Sequence, residues 1–552
     1  MEIKSQLQSL VAQAAGVSEA EVNIEHPEVE ERGDFSTNIA LVLGGGIKKA
    51  QEIASKLQAD FIEKVETAGP GFINFKLKPE VLVNQMGTVS QIDQIGKGKT
   101  WLIEHTSPNP NKAMHLGHLR NNLTGMAIAN IWEAVGTTVI RDDVDNNRGI
   151  AIAKLMWGYK KFGQNQTLVD LKLRPDRFVD QLYVTASEEF EKSEEVQKEI
   201  KQMVVDWEAE DKATRELWEK VLQFSYAGQE MTLQRLGNKW DKVWHEHEHY
   251  QQGKDLVKLG LEKGIFRKAE NGTILTDLEK YHLPDTVVIK SDGTALYITQ
   301  DLALTKLKRE TFHPDRLHWC IGPEQGLALQ QVFAVCEQLG IGKREDYVHI
   351  AYGYMSIKGK GKMSSRTGNV VYIDDLLDAA VEKAREFNAD PQIAEKVGVG
   401  AVKYSVLKVG RLQDTAFDVD ESVSLEGNSG PYLQYTYART FSILAKAAEK
   451  VELATYHKAA KTALNPEELA LLRWIYRYSE TVGEAAVRLA PNLVGNFLYE
   501  LAQRYNTFYN KHSILSAETA ETKEFRLALT QAVGDVLESG LTLLGISVLE
   551  HM

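Results

Sequence analysis

The stretch Trp101-Leu102-Ile103-Glu104-His105-Thr106-Ser107-Pro108-Asn109-Pro110-Asn111-Lys112-Ala113-Met114-His115-Leu116-Gly117-His118 decides the fold. Its first six residues read as a strand, its prolines as a turn, and residues 119–135 as a helix. Residues 136–141 look like the next strand, completing a βαβ unit and therefore a parallel sheet. A helix start offers free N–H groups and the positive end of the dipole, which suits phosphate. His115 and His118, three residues apart, share a face there, and Gly117 lets a nucleotide approach the backbone. The rival reading of this stretch alone, less favoured, is two surface or capping side chains.

A second stretch changes the balance: Lys358-Gly359-Lys360-Gly361-Lys362-Met363-Ser364-Ser365-Arg366-Thr367-Gly368-Asn369. It reads as a cationic, Gly-rich loop after strand-like residues, and cations aimed at a transferring phosphate supply most of the catalysis in such reactions. Alone it could be a solvated basic loop. His-Leu-Gly-His followed, in that order, by Lys-Met-Ser-Ser-Arg is a much stronger joint signal.

The rest of the chain sets the frame. At 552 residues it has room for roughly three to five domains. With 43% hydrophobic and 26% charged residues its composition is globular. The formal net charge of −13 argues against nucleic acid only on average, because a basic stripe can sit on an acidic body. No apolar run approaches the ~20 residues of a membrane span, and Met1-Glu2-Ile3-Lys4-Ser5 does not open an export signal. A cytosolic protein with no membrane partner is therefore expected. Two cysteines, Cys320 and Cys336, are too few for a four-Cys zinc site, so no structural zinc is expected. Trp244-His245-Glu246-His247-Glu248-His249 alternates like one face of a partly exposed edge strand, and no metal is assigned to it.

These residues resemble the "HIGH" and "KMSKS" signatures of class I aminoacyl-tRNA synthetases. Four further stretches resemble the arginyl-tRNA synthetase family: Glu104-His105-Thr106-Ser107-Pro108-Asn109, Tyr352-Gly353-Tyr354-Met355, Asn428-Ser429-Gly430-Pro431-Tyr432-Leu433-Gln434-Tyr435 and Leu543-Leu544-Gly545-Ile546. Arg32-Gly33-Asp34-Phe35-Ser36-Thr37-Asn38 and Gly71-Phe72-Ile73-Asn74 match that family's extra N-terminal domain, so the resemblance covers the whole chain. It implies a multidomain α/β fold. A tRNA-binding extra domain would span 1–78 and a linker 79–99. A Rossmann-like parallel-sheet catalytic domain would span 100–415, with a helical insertion at about 160–285, and an all-α anticodon-binding domain 416–552. The implied substrates are L-arginine, ATP with Mg²⁺, and tRNA(Arg), handled by a monomer that needs bound tRNA before it activates the amino acid.

The resemblance also implies roles. Lys112, His115, His118 and Lys362 would be catalytic, with His115, Gly117, His118, Lys362, Met363 and Ser364 around ATP. The second lysine of the family's loop motif is Ser365 here, and Lys112, just before the first motif, would supply the missing charge. Glu104, Asn109, Tyr297, Asp301 and Gln325 would surround arginine. A guanidinium is always charged and presents a planar fork of donors, so carboxylates belong in its pocket. Asp301 and Tyr297, four apart, would share a helix face and take the guanidinium, leaving Glu104, Asn109 and Gln325 for the α-amino and carboxylate end. Without the family match, Asp301 is as well read as a helix N-terminal acid. Phe72, Asn74, Tyr435, Tyr505, Tyr509 and Met552 would touch tRNA, because unstacked bases favour aromatic partners. The family's usual penultimate Arg is His551 here. The rivals are a class I synthetase for another amino acid, a small-molecule nucleotidyltransferase and a non-catalytic tRNA-binding relative.

Overall fold

A computed structural model of the chain describes residues 3–27, 29–88, 91–164, 166–359, 371–447 and 464–552. Lys362, Met363, Ser364 and Ser365 lie outside the described residues. The N-terminal unit is an antiparallel sheet of β1 (Phe35–Thr37), β2 (Ile62–Ala68) and β3 (Phe72–Leu77), in the order β1-β3-β2. The strand period of two sends Ile73, Phe75 and Leu77 into a core shared with Ile3, Leu7 and Val11 of the helix Ile3–Ala15. Phe72 and Asn74 are left on the other face.

Five strands form the central sheet, all parallel. β4 (Thr100–Glu104) is joined through the helix Leu116–Ala134 to β5 (Thr138–Asp145), and β6 (Lys242–His245) pairs next to β5. A separate antiparallel sheet follows, of β7 (Phe266–Lys268), β8 (Ile274–Thr276) and β9 (Val287–Ile289). The chain then returns to the other side of β4 with β10 (Arg316–Cys320) and β11 (Tyr347–Ile350), giving the order β11-β10-β4-β5-β6. The direction of winding thus reverses between β4 and β10. In open parallel sheets that switch point opens the crevice where ligands bind, outside the carboxyl ends of the strands. A last parallel pair joins β12 (Met355–Ile357), which precedes the cationic stretch in sequence, to β13 (Thr415–Phe417).

Two sequence expectations need correction here. The insertion is not helical across 160–285. Its helices, Ile150–Gly158, Pro175–Lys192, Glu194–Glu208 and Lys212–Leu236, end at Gly237, whose positive φ caps the last of them, and the chain re-enters the central sheet as β6. The His/Glu alternation is not one strand face either. β6 stops at His245, and Glu246–His249 turns into a short helix.

The helices Gly430–Ala447, Pro466–Arg488, Pro491–Lys511 and Ala520–Leu543 pack on one another and against Leu116–Ala134. One continuous apolar core runs from the N-terminal unit through to these helices. The N-terminal unit is latched to Pro466–Arg488 by Asp34, whose Oδ1 accepts from Arg473 Nε at 2.6 Å with both side chains nearly buried. Glu480 on the same helix meets Lys4 at 2.9 Å and His26 at 3.2 Å.

Candidate active site

The turn after β4 is strained and heavily braced. Thr106 and Ser107 adopt φ of 74° and 40°, left-handed values that cost a branched or substituted residue energy. Their amides are held by side chains from neighbouring elements: Thr106 N donates to Asn121 Oδ1 at 2.8 Å and Ser107 N to Asp143 Oδ1 at 2.7 Å. Asn122 Nδ2 adds a 3.0 Å bond to Thr106 Oγ1. Such over-determination throws the chain sharply off the strand end and into the switch-point crevice.

His115 is the N-cap of the helix Leu116–Ala134. Its Nδ1 accepts from Gly117 N at 3.2 Å, and His118 Nδ1 accepts from His115 N at 3.1 Å. With both Nδ1 atoms acting as acceptors, each ring carries its proton on Nε2, which is left as the donor. The rings lie 4.1 Å apart between centroids. Burial, with Lys112 nearby, lowers the His115 pKa to about 4. Burial, His115 and Lys112 hold His118 well below its ordinary value. Both are therefore neutral donors at pH 7, able to hydrogen-bond a phosphate oxygen without exchanging a proton. A Cβ on Gly117 would press within 3.0 Å of the His115 ring, so glycine keeps this imidazole in place. Burial lowers the Lys112 pKa, with Asp180 opposing. The residues after the cationic loop close on this motif: Leu116 N donates to Val371 O at 3.2 Å and Ile373 N to Met114 O at 3.1 Å. The segment that follows the second signature stretch therefore packs against the turn that carries the first.

The carboxylates gather at the strand ends beside it. Glu104 ends β4, and its Oε2 accepts from Lys308 Nζ at 2.6 Å. Asp301 lies two turns before Lys308 on the helix Tyr297–Phe312, at the open rim of the crevice. The protein around its carboxyl, then Glu104, raise its pKa to about 7; Lys308 opposes this and Glu246 adds to it. Asp143 is also held well above the ordinary range, by burial first. A group of carboxylates at the strand ends, with Asp301 exposed at the rim, offers acceptors for a cationic ligand. Asn109 Oδ1 accepts from Asn146 Nδ2 at 3.1 Å. Tyr297 shares the helix of Asp301 one turn earlier, and Gln325 follows β10 on the turn Pro323–Gln325. Both are exposed, and neither hydrogen-bonds to Glu104, Asn109 or Asp301 among the described residues.

The residues assigned to tRNA separate by burial. Phe72 is 39% exposed, which removes the alternative that it is a core side chain. Asn74 is nearly buried on the same face, its Oδ1 accepting from Ser36 Oγ at 2.8 Å. Tyr435 and Tyr509 are exposed and flank the guanidinium of Arg439 at 4.9 and 4.8 Å. Tyr505 must be corrected: it is fully buried in line with Leu501 and Phe508, a helical core stripe, and offers no face to a base. Met552 is half-buried against the core.

Lys308 and Arg439 go unmarked in the sequence reading, and Glu246 figures there only within the His/Glu alternation. Lys308 stands seven residues after Asp301, a same-face spacing that could have drawn it in. Nothing in the sequence marks Arg439.

Three family models match consecutive parts of the chain. They are the arginyl tRNA synthetase N terminal domain over residues 1–77, the catalytic domain of tRNA synthetases class I (R) over 79–419, and the DALR anticodon binding domain over 433–552. The arginine–tRNA ligase of Parabacteroides distasonis is 32% identical, covering 98% of this chain and 97% of its own. That of Treponema denticola is 35% identical, covering 96% and 95%. Among solved structures, the fold matches Thermus thermophilus arginyl-tRNA synthetase with a TM-score of 0.82 at 24% identity, over 100% of both chains. With identity of this size sustained over nearly the full length of relatives that share one activity, the chain belongs to the arginyl-tRNA synthetase family.

Proposed function

We propose that this protein is an arginine–tRNA ligase, which activates L-arginine with ATP and passes it to the terminal ribose of tRNA(Arg). The observation that carries the amino-acid assignment is the carboxylate cleft of Glu104 and Asp301 beside two neutral imidazole donors. In the first step the arginine carboxylate attacks the α-phosphorus, pyrophosphate leaves, and arginyl-adenylate forms. A ribose hydroxyl of the tRNA then attacks the acyl carbonyl and AMP leaves. No protein nucleophile is needed, because positioning and charge stabilisation suffice.

In this reading Nε2–H of His115 and His118 donate to phosphate oxygens, and Gly117 keeps the helix N-terminus open to the nucleotide. Lys112 and Lys362 neutralise the triphosphate, with Met363 and Ser364 completing the ATP site. ATP would enter as its Mg²⁺ complex, the ion offsetting part of the triphosphate charge. Asp301 and Tyr297 take the guanidinium, and Glu104, Asn109 and Gln325 the α-amino and carboxylate end. Residues 1–78, with Phe72 and Asn74, grip the tRNA corner. Residues 416–552 read the anticodon through Tyr435, Tyr509 and the C-terminal Met552. Residues 79–99 serve as the linker and 100–415 as the catalytic domain. The enzyme works as a cytosolic monomer, and arginine activation waits for bound tRNA. ATP–pyrophosphate exchange with each of the common amino acids, with and without tRNA(Arg), tests the reading. Exchange with arginine alone, dependent on tRNA, is expected; exchange with another amino acid, or none with arginine, overturns it.

A further inference from the structure

Lys308 is the one cation that hydrogen-bonds to Glu104 among the described residues, and no role in the reaction has been given to it. Its side chain is completely buried, with Nζ 2.6 Å from Glu104 Oε2 and 2.8 Å from Asp142 Oδ2. Asp142, itself completely buried at the carboxyl end of β5, is fixed in turn by Trp244 Nε1 at 2.8 Å. The indole of Trp319 lies 5.8 Å from the ammonium, opposite Glu104 in the sheet register. Lys308 thus sits against β4 and β10, which border the switch point, and against β5 on the far side of β4.

A buried lysine between two carboxylates is weak as a stabiliser, since desolvation consumes most of the Coulombic gain. Its consequence is geometric. One oxygen of Glu104 is committed to Lys308, and its nearest other partner, Ser107 Oγ, is at 3.5 Å, the limit of a hydrogen bond. The short bond to Lys308 restrains the carboxylate through Oε2 and leaves Oε1, among the described residues, with only the long contact to Ser107 Oγ. We propose that Lys308 is a positioning residue for arginine: it holds Glu104 in the orientation that receives the amino acid, so that no reorganisation is needed on binding. This rests on Glu104 belonging to the arginine site, as assigned above.

A double-mutant cycle on the full-length enzyme tests it, with arginine KM as the readout alongside ATP KM, kcat at saturating arginine and the melting temperature. K308M is expected to raise arginine KM by about tenfold or more, with ATP KM and saturated kcat within about threefold, the pattern of lost ground-state positioning. If Lys308 acts through Glu104, adding K308M to E104Q should change arginine KM by less than about threefold, because residues that act as a unit are not additive. A structural role alone would leave the K308M effect intact in the E104Q background and would move ATP KM and kcat with it. Should K308M leave Asp142 unpaired and fail to fold, K308M/D142N removes both charges of the buried pair and takes its place in the cycle. Additive effects, or native arginine KM in the lysine variant, overturn the proposal. Native arginine KM in E104Q overturns instead the assignment of Glu104.

Discussion

Asp301 makes a quantitative prediction about pH. Its carboxyl lies at the rim of the crevice, where the protein around it and then Glu104 raise its pKa to about 7, with Glu246 adding and Lys308 opposing. At that value about a tenth of the free enzyme is ionised at pH 6, half at pH 7 and nine tenths at pH 8. Arginine needs the carboxylate, so binding must expel the proton wherever one is present. Arginine affinity should therefore rise about tenfold from pH 6 to pH 8, since the competent fraction rises by that factor. The protons released on binding should fall from about 0.9 at pH 6 to about 0.5 at pH 7 and about 0.1 at pH 8. Stability linkage has the opposite sense. Below pH 7 the folded, unliganded protein holds a proton that the unfolded chain has shed above its ordinary value of 3.8, so this group weakens the free fold as pH rises through that window. Titration calorimetry in two buffers of different ionisation enthalpy counts the protons directly, with tRNA present. Asp301→Asn should abolish the pH-dependent release and raise arginine KM by at least ~100-fold while ATP KM barely moves. A wild-type enzyme that releases no proton at pH 6, or an Asn variant that releases as many, would refute the placement of this carboxylate against the guanidinium.

Other outcomes follow from the same geometry. Lys112→Ala should lower kcat for adenylate formation by about 10²-fold in rapid-quench assays while Ser365→Ala does little, and equal effects would remove Lys112 from its compensating role. Phe72→Ala should leave the melting temperature unchanged and raise tRNA KM by about tenfold, as loss of a stacked base does, with the defect shrinking as tRNA saturates. Asp34→Asn strips the buried partner from Arg473, so it should cost about 3–5 kcal/mol at the domain junction and lower the calorimetric midpoint. For the same reason removal of residues 1–78 is expected to destabilise the remainder, because Arg473 and Glu480 both lose partners.

What the sequence disclosed follows from how local each signal is. The β4–turn–helix–β5 unit was legible because an apolar run, a Pro-rich break and a capped helix follow one another without interruption. β11 and the C-terminal helices were legible from their periods for the same reason. β10 was not, although it is the strand beside the switch point. Arg316 and His318 interrupt its apolar pattern, and only tertiary contacts, such as His318 Nδ1 to Leu102 O at 3.0 Å, absorb them. The alternating histidines misled because a period of two also spans a strand end and a single helical turn; the structure places His245 on Asp145 at 2.8 Å and His247 on Asn147. In the site, the imidazoles and Asp301 carried family spacing. Lys308 lay hidden between Lys306 and Arg309 in a segment that looks like a solvated helix face, and only the fold buries it. Tyr505 failed for the converse reason, since aromatics at helical spacing do not declare which face is inward.

Specificity for arginine is tested most directly by charging itself. A tRNA(Arg) transcript incubated with the enzyme, ATP and Mg²⁺ is offered arginine, lysine or citrulline, the neutral isostere of arginine, and the ester is read on acid gels. Planar, charged recognition of the guanidinium by Asp301, with Tyr297 beside it, predicts aminoacylation with arginine and none measurable with lysine or citrulline. Failure to charge with arginine, or charging with citrulline at a comparable rate, would contradict it.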